Sequence, residues 1–116
     1  MIISKIHLPT NDNNGVSLDE IHTKLERALV KHFDGCTVTE GQGLWMHHGK
    51  LFKEPVKIYE IAMYGTEIKT KLFLELVHEY GARAHQLAMY CAIDKHVTII
   101  DVVKPFNTRP SPRKPN

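Results

Sequence analysis

Residues 56–64, VKIYEIAMY, carry apolar side chains on both faces of an extended chain. Val56, Ile58, Ala62 and Tyr64 alternate to one side with Glu60, while Tyr59, Ile61 and Met63 alternate to the other with Lys57. A strand of this kind is central in its sheet, or its second face is covered by a partner subunit. The 116 residues make one domain. A chain of this size buries roughly 65% of the surface its unfolded form exposes, so one core holds it without staples. The rest of the chain must therefore supply strands beside residues 56–64 and helices over one of their faces.

The flanking sequence supplies both. Ile2 to Leu8 alternates, with Ile2, Ser4, Ile6 and Leu8 against Ile3, Lys5 and His7, and Pro9 ends it: a half-buried strand. After the turn-rich TNDNNG, Ser17 and Glu20 stand three apart as a capping box. Val16 and Ile21 are placed as its hydrophobic staple. Leu18, Ile21, Leu25, Ala28, Leu29 and His32 then recur along one face of a first helix, with Gly35 as its left-handed exit. Residues 36–40 form a short strand. Gly41 and Gly43 allow a bend, and residues 44–52 read as a hairpin with His48-Gly49-Lys50 at its tip. Pro55 interrupts before the two-faced strand. A second helix spans residues 67–80, with Ile68, Leu72, Leu76 and Tyr80 as its stripe and Gly81 as its stop. Two strands follow, 86–93 and 97–103, turned by Asp94-Lys95-His96. The order predicts an α+β split βαβ sandwich, residues 1–104, with two helices on one face of an antiparallel sheet and extra hairpins. Other copies of the chain are expected to cover the second face. Residues 105–116, with four prolines, read as a disordered or extended basic tail.

Several function classes drop out. Net charge is +2, and part of the positive charge lies in the tail, so no basic field points to nucleic acid. No apolar run approaches 18 residues, and MIISKIHLP is too short and too quickly polar for a signal peptide, which predicts a soluble, cytoplasmic protein without a membrane partner. Cys36 and Cys91 form no CxxC pair and read as reduced thiols. The eight histidines lack metal-ligand spacing; His47 and His48 point to opposite faces of an extended chain, and the others read as scattered surface or helix-flank residues. There is no GxSxG, no Walker A and no GxGxxG, so no bound cofactor is expected.

The unusual chemistry lies between Thr37 and Tyr64: the single Trp45, the His pair and the carboxylates Glu54 and Glu60. Glu60 reads either as a partly exposed residue answered by a cross-strand lysine or as a ligand-facing carboxylate. Trp45 reads either as a core plug or as a stacking platform whose neighbours Gly41 and Gly43 let a ligand approach the backbone. The two carboxylates, Trp45 and Tyr59 predict a cleft between subunits, with Gln86 contributing.

Thr37-Val38, Gly43-Leu44-Trp45, Gly49-Lys50-Leu51 and Glu54-Pro55-Val56-Lys57 together resemble a bacterial and phage small-domain family of ferredoxin-like, PII-like trimers. The phage-type S-adenosylmethionine lyases are similar in layout. They share a Gly-x-aromatic, a hairpin, a Glu before the strand, a helix and a Gln-led strand such as residues 86–91. The resemblance implies a trimer in a host cytoplasm, turning S-adenosylmethionine into methylthioadenosine and homoserine lactone between subunits. Glu54 and Glu60 would be the working carboxylates, and Trp45, Tyr59, Gln86 and Gly43 the contacts to an adenosine-like ligand. Two alternatives stand beside it: a non-catalytic trimer binding a nucleotide-like molecule, and a purely structural oligomer.

Overall fold

The computed structural model describes residues 1–103 and 108–109. The elements run β1 (Ile2–Pro9), α1 (Asp19–Phe33), β2 (Thr37–His47), β3 (Lys50–Met63), α2 (Glu67–Arg83), β4 (Ala88–Ile93), β5 (His96–Asp101) and β6 (Thr108–Arg109). The sheet order is β2-β3-β1-β4-β5-β6, antiparallel at every step. β2-β3-β1-β4 is the order of a ferredoxin-like split βαβ sandwich, extended here on one edge. β6 pairs Arg109 and Thr108 with Ile99 and Ile100, inside the stretch that composition marks as tail. The remainder of that stretch, residues 104–107 and 110–116, lies outside the described residues.

Both helices lie on one face of the sheet, α1 over β3 and α2 over β4 and β5. Beneath them sit Ile6 and Leu8 of β1, Tyr59, Ile61 and Met63 of β3, Met89 and Cys91 of β4 and Ile100 of β5. Leu25, Leu29 and Phe33 descend from α1, and Phe73, Leu76, Val77 and Tyr80 from α2. Phe33 and Phe73 meet edge to face, 6.3 Å between centroids. The two-faced strand β3 is central, as its composition requires, between β2 and β1.

The helix ends differ from expectation in instructive ways. The Ser17 hydroxyl accepts the Asp19 N–H at 3.2 Å, but Glu20 does not complete the box; it pairs with Lys24 at 3.1 Å, one turn on. Val16 stays exposed and so makes no staple. The left-handed exit is Asp34, φ 70°, rather than Gly35. Gly81 does not stop α2, which runs on to Arg83. A Cβ on Gly81 would stand 2.5 Å from Met89 Cγ and 2.9 Å from Val102 Cγ2, so the glycine serves close approach of helix to sheet.

Pro55 does not interrupt β3. Its carbonyl accepts the Thr10 N–H at 3.0 Å on the β1 side, where β1 has already ended at the Pro9–Val56 pair. N–H and C=O of one residue point to the same side of a strand, so no partner strand needs the missing donor. Beyond this point, among the described residues, β2 and β3 pair only with each other. Residues 42–55 form a two-stranded arm that projects past β1, closed by His48 and Gly49 at φ 50° and 75°, the two positive angles of a two-residue hairpin turn.

Candidate functional site: the uncovered sheet face and its arm

Antiparallel register decides which candidate residues share a face, because directly paired residues project to the same side. Gly43 pairs with Glu54, Trp45 with Phe52, and Thr37 with Glu60. All six project away from the helices, since the intervening Tyr59 and Ile61 are buried beneath them. The same face carries Lys5 opposite Glu60 and His7 opposite Ile58 on β1, then Tyr90 of β4 opposite His7.

Two stations stand on this face. On the arm, Trp45 and Phe52 stack nearly parallel, centroids 5.6 Å apart and planes at 14°. The Glu54 carboxylate lies one pleat repeat from Phe52, about 7 Å along the strand. Gly43 opposite it leaves room: a Cβ there would only touch Val56 Cγ1 at 3.6 Å and Glu54 Cγ at 3.7 Å. On the body, Glu60 meets Lys5 Nζ at 3.6 Å with both side chains about half exposed, which is the cross-strand lysine pairing. His7 and Tyr90 pack ring to ring at 4.6 Å. Glu54 and Glu60 are six residues apart on one strand, roughly 20 Å. One small ligand on one copy of the chain cannot touch both.

Tyr59 and Gln86 do not face this surface. Tyr59 is fully buried on the helix side, because odd-numbered residues of β3 point that way. Gln86 is also buried, 5% exposed, in the link from α2 to β4, where its amide donates to the Ala84 carbonyl at 3.3 Å. Within one copy of the chain, Trp45, Gly43 and Glu54 stand together on the arm, Glu60 lies farther along the same face beside Lys5, and Tyr59 lies on the opposite face.

Tyr59 instead belongs to a buried polar chain that periodicity passed over. His22, read among the surface or helix-flank histidines, is 1% exposed and so is a core residue of α1. Its Nε2 lies 2.7 Å from the Pro9 carbonyl and its Nδ1 2.6 Å from the Tyr59 hydroxyl, which donates to Glu26 Oε2 at 2.8 Å. Burial lowers the His22 pKa, and Lys57 adds to this, against the Pro9 hydrogen bond, Glu26 and Asp19. Burial and the bond to Glu26 raise the Tyr59 pKa well above the ordinary phenol range. The signal was present in the sequence: position 22 falls between Leu18 and Leu25 on the buried stripe, and Glu26 follows one turn later. Phe52, His7 and Tyr90 gave less warning, since their neighbours are set by strand order.

The remaining groups are quieter. Cys36 is half-buried with its pKa raised, by burial first and then by Glu26, and Cys91 is buried with its thiol pushed up to about 12. Both are free thiols. Among the described residues, no group of three or more His, Cys, Asp or Glu is placed to hold a metal ion, and no helix is long and apolar enough to cross a membrane.

No protein-family model and no curated protein sequence matches this chain. Solved structures do. A phage SAM lyase in complex with S-methyl-5'-thioadenosine superposes with a TM-score of 0.68 at 16% identity, covering 85% of this chain and 88% of its own. A phage SAM lyase in the apo state gives 0.60 at 13% identity, over 97% of this chain and 91% of its own. The chain therefore has the fold of the phage SAM lyases.

Proposed function

We propose that this protein is a phage-type S-adenosylmethionine lyase working in a cleft between copies of the chain. The observation that carries the reading is the shared fold with a SAM lyase that holds S-methyl-5'-thioadenosine, over 85% of this chain. The site geometry supports it. The arm presents a stacked aromatic pair, a carboxylate and an open backbone at Gly43 within about two pleat repeats. Those groups suit a cationic, adenosine-bearing molecule: the aromatic face attracts the sulfonium, and Glu54 accepts from the α-ammonium or the ribose hydroxyls.

The chemistry asks little of the protein. The substrate's own carboxylate oxygen attacks its Cγ, the new C–O bond closes a five-membered lactone, and the Cγ–S bond breaks. The bonding pair goes to sulfur, which becomes the neutral thioether of methylthioadenosine. The leaving group is already cationic, so no general acid is required. The site's task is to hold the substrate folded, with carboxylate and Cγ in line, and to exclude water.

The intersubunit placement draws on two features. Glu60 lies roughly 20 Å from Glu54, so both reach one ligand only from different copies. Leu44, Met46 and Leu51 stand 56%, 64% and 49% exposed on the arm's other face, and a two-stranded ribbon apolar on both sides is marginal unless covered. A trimer is the closed assembly proposed. Incubation with S-adenosylmethionine followed by chromatography tests the reaction: methylthioadenosine and homoserine lactone are expected in equal amounts. Saturable binding without turnover would replace this reading with a non-catalytic binder of adenosine-like ligands. Absence of both leaves a structural oligomer. A 13 kDa species in light scattering at micromolar concentration would remove the shared cleft.

A further inference from the structure

The ligand face of the arm ends in a cation. Lys50 pairs with His47 at the closing turn and projects to the same side as Phe52 and Glu54, two and four residues on. Its ammonium folds back over the Phe52 ring, 5.4 Å from the centroid, and the His47 ring lies 6.2 Å from the same centroid. Phe52 in turn stacks on Trp45. From tip to root the face therefore reads ammonium, aromatic pair, carboxylate. The other lysine of this face, Lys5, is answered by Glu60 at 3.6 Å. Among the described residues no ion pair joins Lys50 to a carboxylate. A ring face holds an exposed ammonium only weakly, and a carboxylate binds it better. The contact with Phe52 lays the long side chain along the face, where a bound molecule would meet it.

We infer that Lys50 holds the α-carboxylate of the ligand and makes the arm selective for adenosyl molecules that still carry an amino-acid carboxylate. The order of charges fits. In the folded substrate the attacking carboxylate oxygen lies roughly 3 Å from Cγ, with sulfur in line on the far side. Lys50 on the outer side of that carboxylate and the aromatic pair toward the sulfonium then give alternating charges along the arm. The ribose end points to Glu54, roughly 14 Å from Lys50 along the backbone.

Lys50 binds substrate without speeding its reaction. The carboxylate charge is largest before attack and falls as the C–O bond forms. An ammonium beside it therefore stabilises the bound substrate at least as much as the transition state. Its contribution belongs in KM and in the choice of ligand.

This rests on the arm being one wall of the lyase site, and two unreactive ligands separate the two claims. S-adenosylhomocysteine keeps the carboxylate but has a neutral thioether in place of the sulfonium. Decarboxylated S-adenosylmethionine keeps the sulfonium but has no nucleophile. In calorimetry on the full chain, Lys50→Met should weaken S-adenosylhomocysteine by roughly 5- to 15-fold, the low end for a charged hydrogen bond because the site is exposed. Decarboxylated S-adenosylmethionine should bind the variant as well as the wild type, or up to about 3-fold tighter once a like charge is gone. Lys50→Arg should keep the wild-type preference. With S-adenosylmethionine itself, Lys50→Met should raise KM by the same factor while kcat holds. Equal changes for both ligands, no change for either, or a fall in kcat at constant KM overturns the role of Lys50 and leaves the arm as the site. A wild-type chain that binds neither ligand overturns the arm as the site, and the role of Lys50 with it. Lys50 is exposed beside the turn, so Lys50→Met should unfold at the wild-type midpoint.

Discussion

The body of the sheet and its arm are made of one continuous pair of strands, β2 and β3, yet they obey different rules. Along residues 56–60, β3 has β1 on one side, β2 on the other and α1 above; β1 continues alone beside residues 61–63, and Tyr59, Ile61 and Met63 are buried. Along residues 50–55 its strand partner among the described residues is β2 alone, and Leu51 is half exposed. The alternation of apolar residues is similar in both parts. The number of neighbours decides whether an apolar side chain becomes core or a surface waiting for a ligand or a partner.

The contrast can be tested by the size of the response. Phe73→Ala, in the body, removes a ring that is fully buried against Phe33, and should cost about 3–5 kcal/mol in urea unfolding. If that loss were no larger than for an arm residue, the division into body and arm would be wrong. Tyr59→Phe should cost about 1–3 kcal/mol, because it strands both the His22 ring nitrogen and the Glu26 carboxylate. A loss near zero would show that the chain of bonds contributes nothing to the fold. Gly81→Ala should cost a similar or smaller amount, about 1–3 kcal/mol, by pressing a methyl into Met89 and Val102. A stabilised variant would mean that the Met89 side chain yields freely.

The smallest effect on stability belongs to the arm. Glu54→Gln should leave the unfolding midpoint within about 0.5 kcal/mol, since the residue sits on a half-exposed strand face outside the core. Its effect on S-adenosylmethionine affinity should be far larger, about 1.5–3 kcal/mol by calorimetry, the scale of a hydrogen bond to a charged group. An unchanged affinity would take Glu54 out of the site while leaving the fold untouched.

The sequence by itself determined the elements and their class. Period-2 and period-3.6 patterns are local, and so Ile2–Pro9, the two helices, the His48-Gly49 turn and strands β4 and β5 were legible within a few residues, while β6 was not. Pairing register is not local. That β1 stops at Val56, that Glu60 is answered by Lys5, and that Tyr59 and Glu60 lie on opposite sides of a sheet with helices on one of them depend on which strand lies beside which. Glycine and histidine roles were misread for the same reason. Gly81 looks like a helix stop until Met89 is known to press against it, and His22 looks like a surface residue until Pro9 and Tyr59 are brought to its two nitrogens. Local hydrophobic spacing can say that a face is buried, but only the folded chain says by what, because the partners lie 13 and 37 residues away.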